Sequence, residues 1–200
     1  MSELDVEKVK SQLQQEFLEL VAIDSPSWGE AEMAVVIMKK LEALGFQVRE
    51  DKVHNLYGYL PGQLDREPVL FSAHMDTVEP AKGKEAICEA DGTIRSAGKA
   101  VLGADCLSGL VEILHGIRLV QQSGKEHRPV EVLISVAEEI YCQGASLFYF
   151  AQIKAKDSYV LDLTGPVGSA ARRAPSLVSF VGTIKGRAAH SGMEPEKGIN

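Results

Sequence analysis

Four short segments carry residues whose types suit joint chemistry. His74-Met75-Asp76 follows the apolar run Val69–Ala73, and Glu138-Glu139 follows Val130–Ala137. Asp162 closes Tyr159-Val160-Leu161, and Asp105 lies in a turn that begins with Gly103-Ala104, just before a helical pattern. Several carboxylates at one place repel one another strongly unless a cation lies between them. Imidazole with carboxylates suits Zn²⁺, Mn²⁺ or Co²⁺, whereas an all-oxygen set suits Mg²⁺ or Ca²⁺. In His74-x-Asp76, strand alternation puts both side chains on one side. One can then bind a metal while the other holds the second nitrogen of the imidazole. Adjacent Glu138 and Glu139 side chains diverge, so one can ligate while the other faces a substrate as a base. A carboxylate between two ions would bridge them and make a two-metal site.

The elements that must position these residues are legible from periodicity. Asp5 to Ile23 has apolar residues at Val6, Val9, Leu13, Phe17, Leu18 and Val21, which predicts an amphipathic helix that stops before Pro26. Ser27 with Glu30 three residues later reads as a capping box for a second helix, which is broadly apolar from Ala31 to Leu44 and ends at Gly45. The period then changes. Phe46–Val53 and Asn55–Leu60 read as strands joined by a short turn, and Pro68–Ala73 as a buried strand. Cys106–Val120 returns to helical spacing, while Val130–Ala137 and Ser158–Leu163 read as two more buried strands. This alternation predicts an α/β fold: a three-layer sandwich with a mostly parallel central sheet flanked by helices. In such sheets ligands bind beyond the carboxyl ends of the strands, where the four segments would converge. From about Ala174 the pattern becomes a longer alternating strand, Leu177–Lys185, which suggests a second subdomain.

Composition narrows the function. The chain has 200 residues, with 21 Lys+Arg against 28 Asp+Glu and a net charge of −7, which argues against a nucleic-acid or anionic-membrane binder. The three cysteines Cys88, Cys106 and Cys142 form no Cys-x-x-Cys pair, so neither a disulfide framework nor a zinc ribbon is indicated. The charged start MSELDVEKVK is unlike a secretory signal, and no apolar run is long enough to span a bilayer. A soluble cytoplasmic protein is expected. No Gly-x-Ser-x-Gly, Walker A or Gly-x-Gly-x-x-Gly run occurs.

Five motifs in order carry a resemblance: Ala73-His74-Met75-Asp76-Thr77, Gly103-Ala104-Asp105, Val136-Ala137-Glu138-Glu139-Ile140, Asp162, and Gly186-Arg187-Ala188-Ala189-His190-Ser191-Gly192. Together they resemble the peptidase T branch of the dinuclear metallopeptidase and deacylase superfamily that includes carboxypeptidase G and acetylornithine deacetylase. The resemblance covers essentially the whole chain. It implies two divalent ions, zinc first with cobalt or manganese as alternatives. His74, Asp105 and Asp162 would hold one ion, with Asp105 bridging, and Glu139 the other. Glu138 would be the general base for the water between the ions, and Asp76 would orient His74. His190 resembles a histidine of the family's lid or dimerisation domain that contacts the substrate. The implied activity removes the N-terminal residue from short peptides such as tripeptides. Deacylation of N-acyl amino acids and a non-catalytic metal-binding relative are the alternatives. Residues 1–173 would form the catalytic domain, and 174–200 the opening of a smaller α+β lid through which a homodimer could form.

The chain departs from the family in two places. Asp105-Cys106-Leu107 stands where the family continues with Asp-Lys after the bridging residue, a point at which it also places a cis peptide bond. Cys106 near a helix N-terminus could instead be an activated thiol paired with His74, a rival cysteine hydrolase. That reading leaves Glu138, Glu139 and Asp162 without a role. The family's second histidine ligand, from beyond its lid, has no counterpart in these 200 residues. The expectation is therefore a fragment, inactive by itself. His54, His115 and His127 read as structural or surface residues.

Overall fold

The computed structural model describes residues 6–174 and 176–199; Asp5, at the head of the expected first helix, and Asn200 lie outside them. The chain divides into two compact units, with the break between Thr164 and Gly165.

In the first unit the helices are α1 (Val6–Val21), α2 (Ala31–Ala43), α3 (Ala104–Gln122) and the single turn α4 (Gln143–Ser146). The strands are β1 (Gln47–Glu50), β2 (Leu56–Leu60), β3 (Val69–His74), β4 (Ala86–Cys88), β5 (Ile94–Ser96), β6 (Val130–Ser135) and β7 (Asp157–Val160). Five of them form one sheet in the order β1-β2-β6-β3-β7, and β4 with β5 makes a separate hairpin. β3 runs parallel to both β6 and β7, while β2 is antiparallel to β6 and β1 to β2. The sheet is therefore mixed, although all its strands except β2 point the same way.

Helix α2 ends as its sequence dictates. Gly45 takes φ +87°, the Gly45 N–H donates to Glu42 O and the Phe46 N–H to Leu41 O, the paired bonds of a Schellman motif. Its start differs from expectation. Glu30 is the N-cap residue with no side-chain cap bond. Ser27 donates instead to Asp76 Oδ2 at 2.7 Å, and Glu30 Oε1 accepts the Ala137 N–H at 2.8 Å. The reason is burial. Ala31 and Glu32 are exposed, so water can serve the helix's first N–H groups, whereas Ala137 is fully buried and must find a protein acceptor.

The sheet face that presents Leu56, Leu60, Ala73, Val130, Val132 and Ile134 packs against all three long helices through Phe17, Leu20, Ile37, Leu41, Leu107, Leu110 and Leu114. The opposite face carries a smaller cluster of Tyr57, Leu70, Leu133 and Phe148, covered by the segment around Ile153 and Ala155. Buried Glu131 ties that cover down by accepting the Tyr57 hydroxyl and the Lys154 and Ala155 N–H groups. β7, expected to be buried, is exposed along its length because it is the last strand of the sheet. Among the described residues no helix is long and apolar enough to cross a membrane.

The second unit contains a 3₁₀ turn at Pro195–Lys197 and a bridge between Arg187 and Ile199. Leu177–Lys185 forms no strand. Leu177, Val178, Phe180, Val181 and Ile184 are all exposed. An alternating segment becomes a strand only with a partner for its ladder, and this one has none among the described residues.

Candidate metal centre

The topology explains why four segments meet. β3 is flanked by β6 on one side and β7 on the other, so the chain reverses its winding direction at β3 and leaves a crevice beyond the carboxyl ends. His74 pairs with Ser135 at the last position of the β3–β6 ladder, and the Leu161 N–H donates to Ser72 O at 2.8 Å. Asp76, Glu138 and Asp162 therefore emerge beside one another. Asp105 arrives from the head of α3, where Asp105 and Cys106 depart from helical dihedrals and the peptide bond between them is cis, as the resemblance implied.

His74 is nearly fully buried, and both its nitrogens are committed. Nδ1 lies 2.9 Å from Asp76 O and 3.3 Å from Asp76 Oδ1, which places a proton on Nδ1. Nε2 faces Asp105 Oδ1 at 3.1 Å, with Glu138 Oε2 and Asp162 Oδ1 each at 3.8 Å. A nitrogen among three carboxylates needs positive charge beside it, either a proton or a metal ion. Burial pulls the His74 pKa down, but Asp76, Asp162 and Glu138 outweigh it and hold the ring at about 9.

The acids show the complementary strain. Burial, and then the hydrogen bond with Asp105, pushes the Asp162 carboxyl up to about 7. Glu139 is raised by burial and by Asp105, Glu138 and Asp76, against the pull of His74. Asp76 goes the other way. Burial works against its charge, yet His74, the Glu138 and Glu139 N–H groups and Ser27 hold it below the usual carboxylate range. So Asp76 is a fixed anion under the imidazole, while Asp162 and Glu139 sit in a field short of positive charge.

The donor atoms fit a divalent cation. One ligand atom each from His74, Asp105, Cys106 and Asp162 lies within 4.8 Å of the others. One imidazole and carboxylate oxygens make a borderline set suited to zinc, cobalt or manganese. Glu139 is outside that tight group, and its N–H donates to Asp76 Oδ2 at 3.1 Å. His190 lies in the second unit, where its Nδ1 accepts the N–H groups of Gly192 and Met193.

Cys106 joins the group without having been singled out as a ligand. Its thiol is buried, donates to Leu161 O at 2.9 Å, and is pushed up to about 12, chiefly by burial. A protonated thiol of that kind is no nucleophile, so the cysteine-hydrolase reading fails. Ser27, Glu30 and Asn55 also support the site and were not foreseen in that role. The first two were visible as a motif but assigned to the wrong partners.

The Peptidase family M28 model matches residues 55–173, a span that contains every site residue of the first unit except Ser27 and Glu30. The chain belongs to peptidase family M28. Among its relatives, YqjE of Bacillus subtilis is 36% identical over 199 residues, covering 96% of this chain and 53% of that protein. The crystal structure of aminopeptidase PepT from Bacillus cereus matches this M28 chain with a TM-score of 0.76 at 33% identity, over 94% of this chain and 53% of that one. A tripeptidase from Staphylococcus aureus matches with a TM-score of 0.76 at 30% identity, over 80% of this chain and 45% of that one. The M28 chain thus has the α/β fold of peptidase catalytic domains and is peptidase T-like, and it spans about half the length of the curated relatives it matches.

Proposed function

We propose that the chain supplies four of the metal ligands and the general base of a divalent-metal aminopeptidase that releases the N-terminal residue of short peptides. The observation that carries this is the convergence on His74 Nε2 of carboxylate oxygens from Asp105, Glu138 and Asp162 at 3.1 to 3.8 Å, in a chain of a peptidase family. Similarity to an aminopeptidase and a tripeptidase supports the choice of substrate.

His74, Asp105 and Asp162 would hold one ion and Glu139 a second, with Asp105 between them. When bound, two such ions supply Lewis acidity toward the scissile carbonyl and lower the pKa of water. Glu138 takes the proton from the attacking water and delivers it to the leaving amine. Asp76 keeps the imidazole proton on Nδ1, so Nε2 offers its lone pair toward the ligand group. In His190 the reverse holds: Nδ1 is an acceptor, so the neutral ring carries its proton on Nε2 and can donate to a substrate carbonyl or carboxylate. The second unit would open a smaller domain through which two subunits pair.

The test uses the protein in the full length its reading frame encodes, loaded with Zn²⁺, Co²⁺ or Mn²⁺. Hydrolysis of free-amino tripeptides should be abolished by chelation and restored by metal. Glu138→Gln should retain bound metal and lose turnover by several orders of magnitude. Inertness of the metal-replete protein toward a tripeptide panel, or preference for N-acyl amino acids, refutes the aminopeptidase reading.

A further inference from the structure

The segment that carries Glu138 and Glu139 has left the sheet, yet four successive backbone N–H groups in it are held by buried side-chain oxygens. The Val136 N–H donates to Asn55 Oδ1 at 3.0 Å and the Ala137 N–H to Glu30 Oε1 at 2.8 Å. The Glu138 and Glu139 N–H groups donate to the two oxygens of Asp76 at 2.9 and 3.1 Å. Carbonyls are held as well: Ala137 O accepts from Gln143 N–H and Glu138 O from Cys142 N–H. The three acceptor side chains come from the head of α2, the entry to β2 and the end of β3, and none is more than 2% exposed.

Two details show that this is a constraint on shape rather than incidental pairing. Ala137 has φ +51°, a region that residues with a Cβ adopt only where the surroundings over-determine them. Asn55 is itself fixed, its amide donating to Asp51 Oδ2 at 2.8 Å and to Gly144 O at 3.0 Å. Gly144 passes so close that a Cβ there would stand 2.0 Å from Val136 O.

We infer that Glu30, seconded by Asn55, is a positioning residue: through the Ala137 N–H it fixes the left-handed turn that aims Glu138 and Glu139 in different directions. The inference rests on the proposed roles of Glu138 as base and Glu139 as ligand. Asp76 alone cannot set that turn, because it holds the residues after the turn and not Ala137 itself. The role needs an oxygen lone pair at the right reach, not a charge, so glutamine should replace glutamate and a shorter side chain should not.

The experiment titrates Co²⁺ into the chain and reads its visible absorption, comparing wild type with Glu30→Ala, Glu30→Gln, Glu30→Asp and, as a stability control on the same helix, Ile37→Ala. Glu30→Ala should weaken Co²⁺ binding by about 10- to 100-fold and alter the band shape. Glu30→Gln should stay within about threefold of wild type with an unchanged spectrum. Glu30→Asp keeps the charge but shortens the reach; it should behave like the alanine variant and serves if that variant does not fold. Ile37→Ala should lower the melting temperature while leaving Co²⁺ affinity and spectrum alone. Unchanged Co²⁺ binding in both Glu30→Ala and Glu30→Asp, or equal weakening in Ile37→Ala, overturns the inference. A wild-type chain that binds no Co²⁺ refutes the metal reading beneath it, which is a different failure.

Discussion

Asn in place of Asp76 keeps shape and volume and changes only charge and one acceptor, so its effect can be worked out atom by atom. Oδ1 serves the Glu138 N–H and lies 3.3 Å from His74 Nδ1, a contact an amide oxygen can keep, and Oδ2 serves Ser27 Oγ and the Glu139 N–H. The amide oxygen can keep the first contact, and Ser27 can rotate to become an acceptor. The amide nitrogen must then face the Glu139 N–H, donor against donor. One unpaired N–H in that place costs about 1–3 kcal/mol, and the surviving bond to Glu138 loses its charge assistance, about 1 kcal/mol more. Removing a negative charge from among Glu138, Glu139 and Asp162 works in the other direction. The direction of the Asp76 pKa decides the contest. It lies below the usual range despite burial, so the surroundings favour the anion on balance. The net loss is then roughly 3 kcal/mol, or about 6–12 °C in melting temperature for a unit of this size. Thermal unfolding of the metal-free chain followed by tryptophan fluorescence reads this directly, because Trp28, the sole tryptophan, adjoins Ser27. A melting temperature within 2 °C of wild type, or above it, would refute the bond-by-bond reasoning.

Buried Lys84 donates to Ser25 Oγ at 3.1 Å and Thr77 Oγ1 at 3.4 Å, and burial lowers it to about 8 despite the attraction of Asp24. The unfolded chain therefore holds its proton longer, and stability should rise by up to roughly 3 kcal/mol between pH 8 and 10.5. That slope should vanish in Lys84→Met, and urea titrations of both proteins across this range check it; a slope retained in the variant assigns it elsewhere. Thiol alkylation of the native chain at pH 8 should modify exposed Cys88 first. Cys142 should follow slowly, since burial and Glu138 push its thiol to about 11, and Cys106 should react only on unfolding. Native-state labelling of Cys106 at the rate of Cys88 would revive the thiol chemistry set aside above.

What could be read from the sequence was what neighbouring residues decide. Apolar periodicity located α1, α2 and α3 to within a few residues, and Gly45 announced its own left-handed turn. His74-x-Asp76 and Glu138-Glu139 stood out because strand ends bring them to one edge. Interactions across long separations were invisible. Ser27 and Glu30 fit a capping box locally, but their partners lie 49 and 107 residues away, and only the folded chain shows which donors are buried. Leu177–Lys185 had the alternation of a strand without a partner. The β4–β5 hairpin was missed for the opposite reason: its strands have three residues each and little apolar alternation.

The four bonds that hold Val136 to Glu139 close loops of 81, 107, 62 and 63 residues. Contacts of that separation form only after much of the chain has condensed, since the entropy of closing such loops must be met first. A partly folded molecule can therefore own a finished α3 or a finished β1–β2 pair and still lack an aimed Glu138. During synthesis the nascent chain carries Glu138 and Glu139 before either is aimed, and the aim comes only once the end of β6 has met Glu30, Asn55 and Asp76.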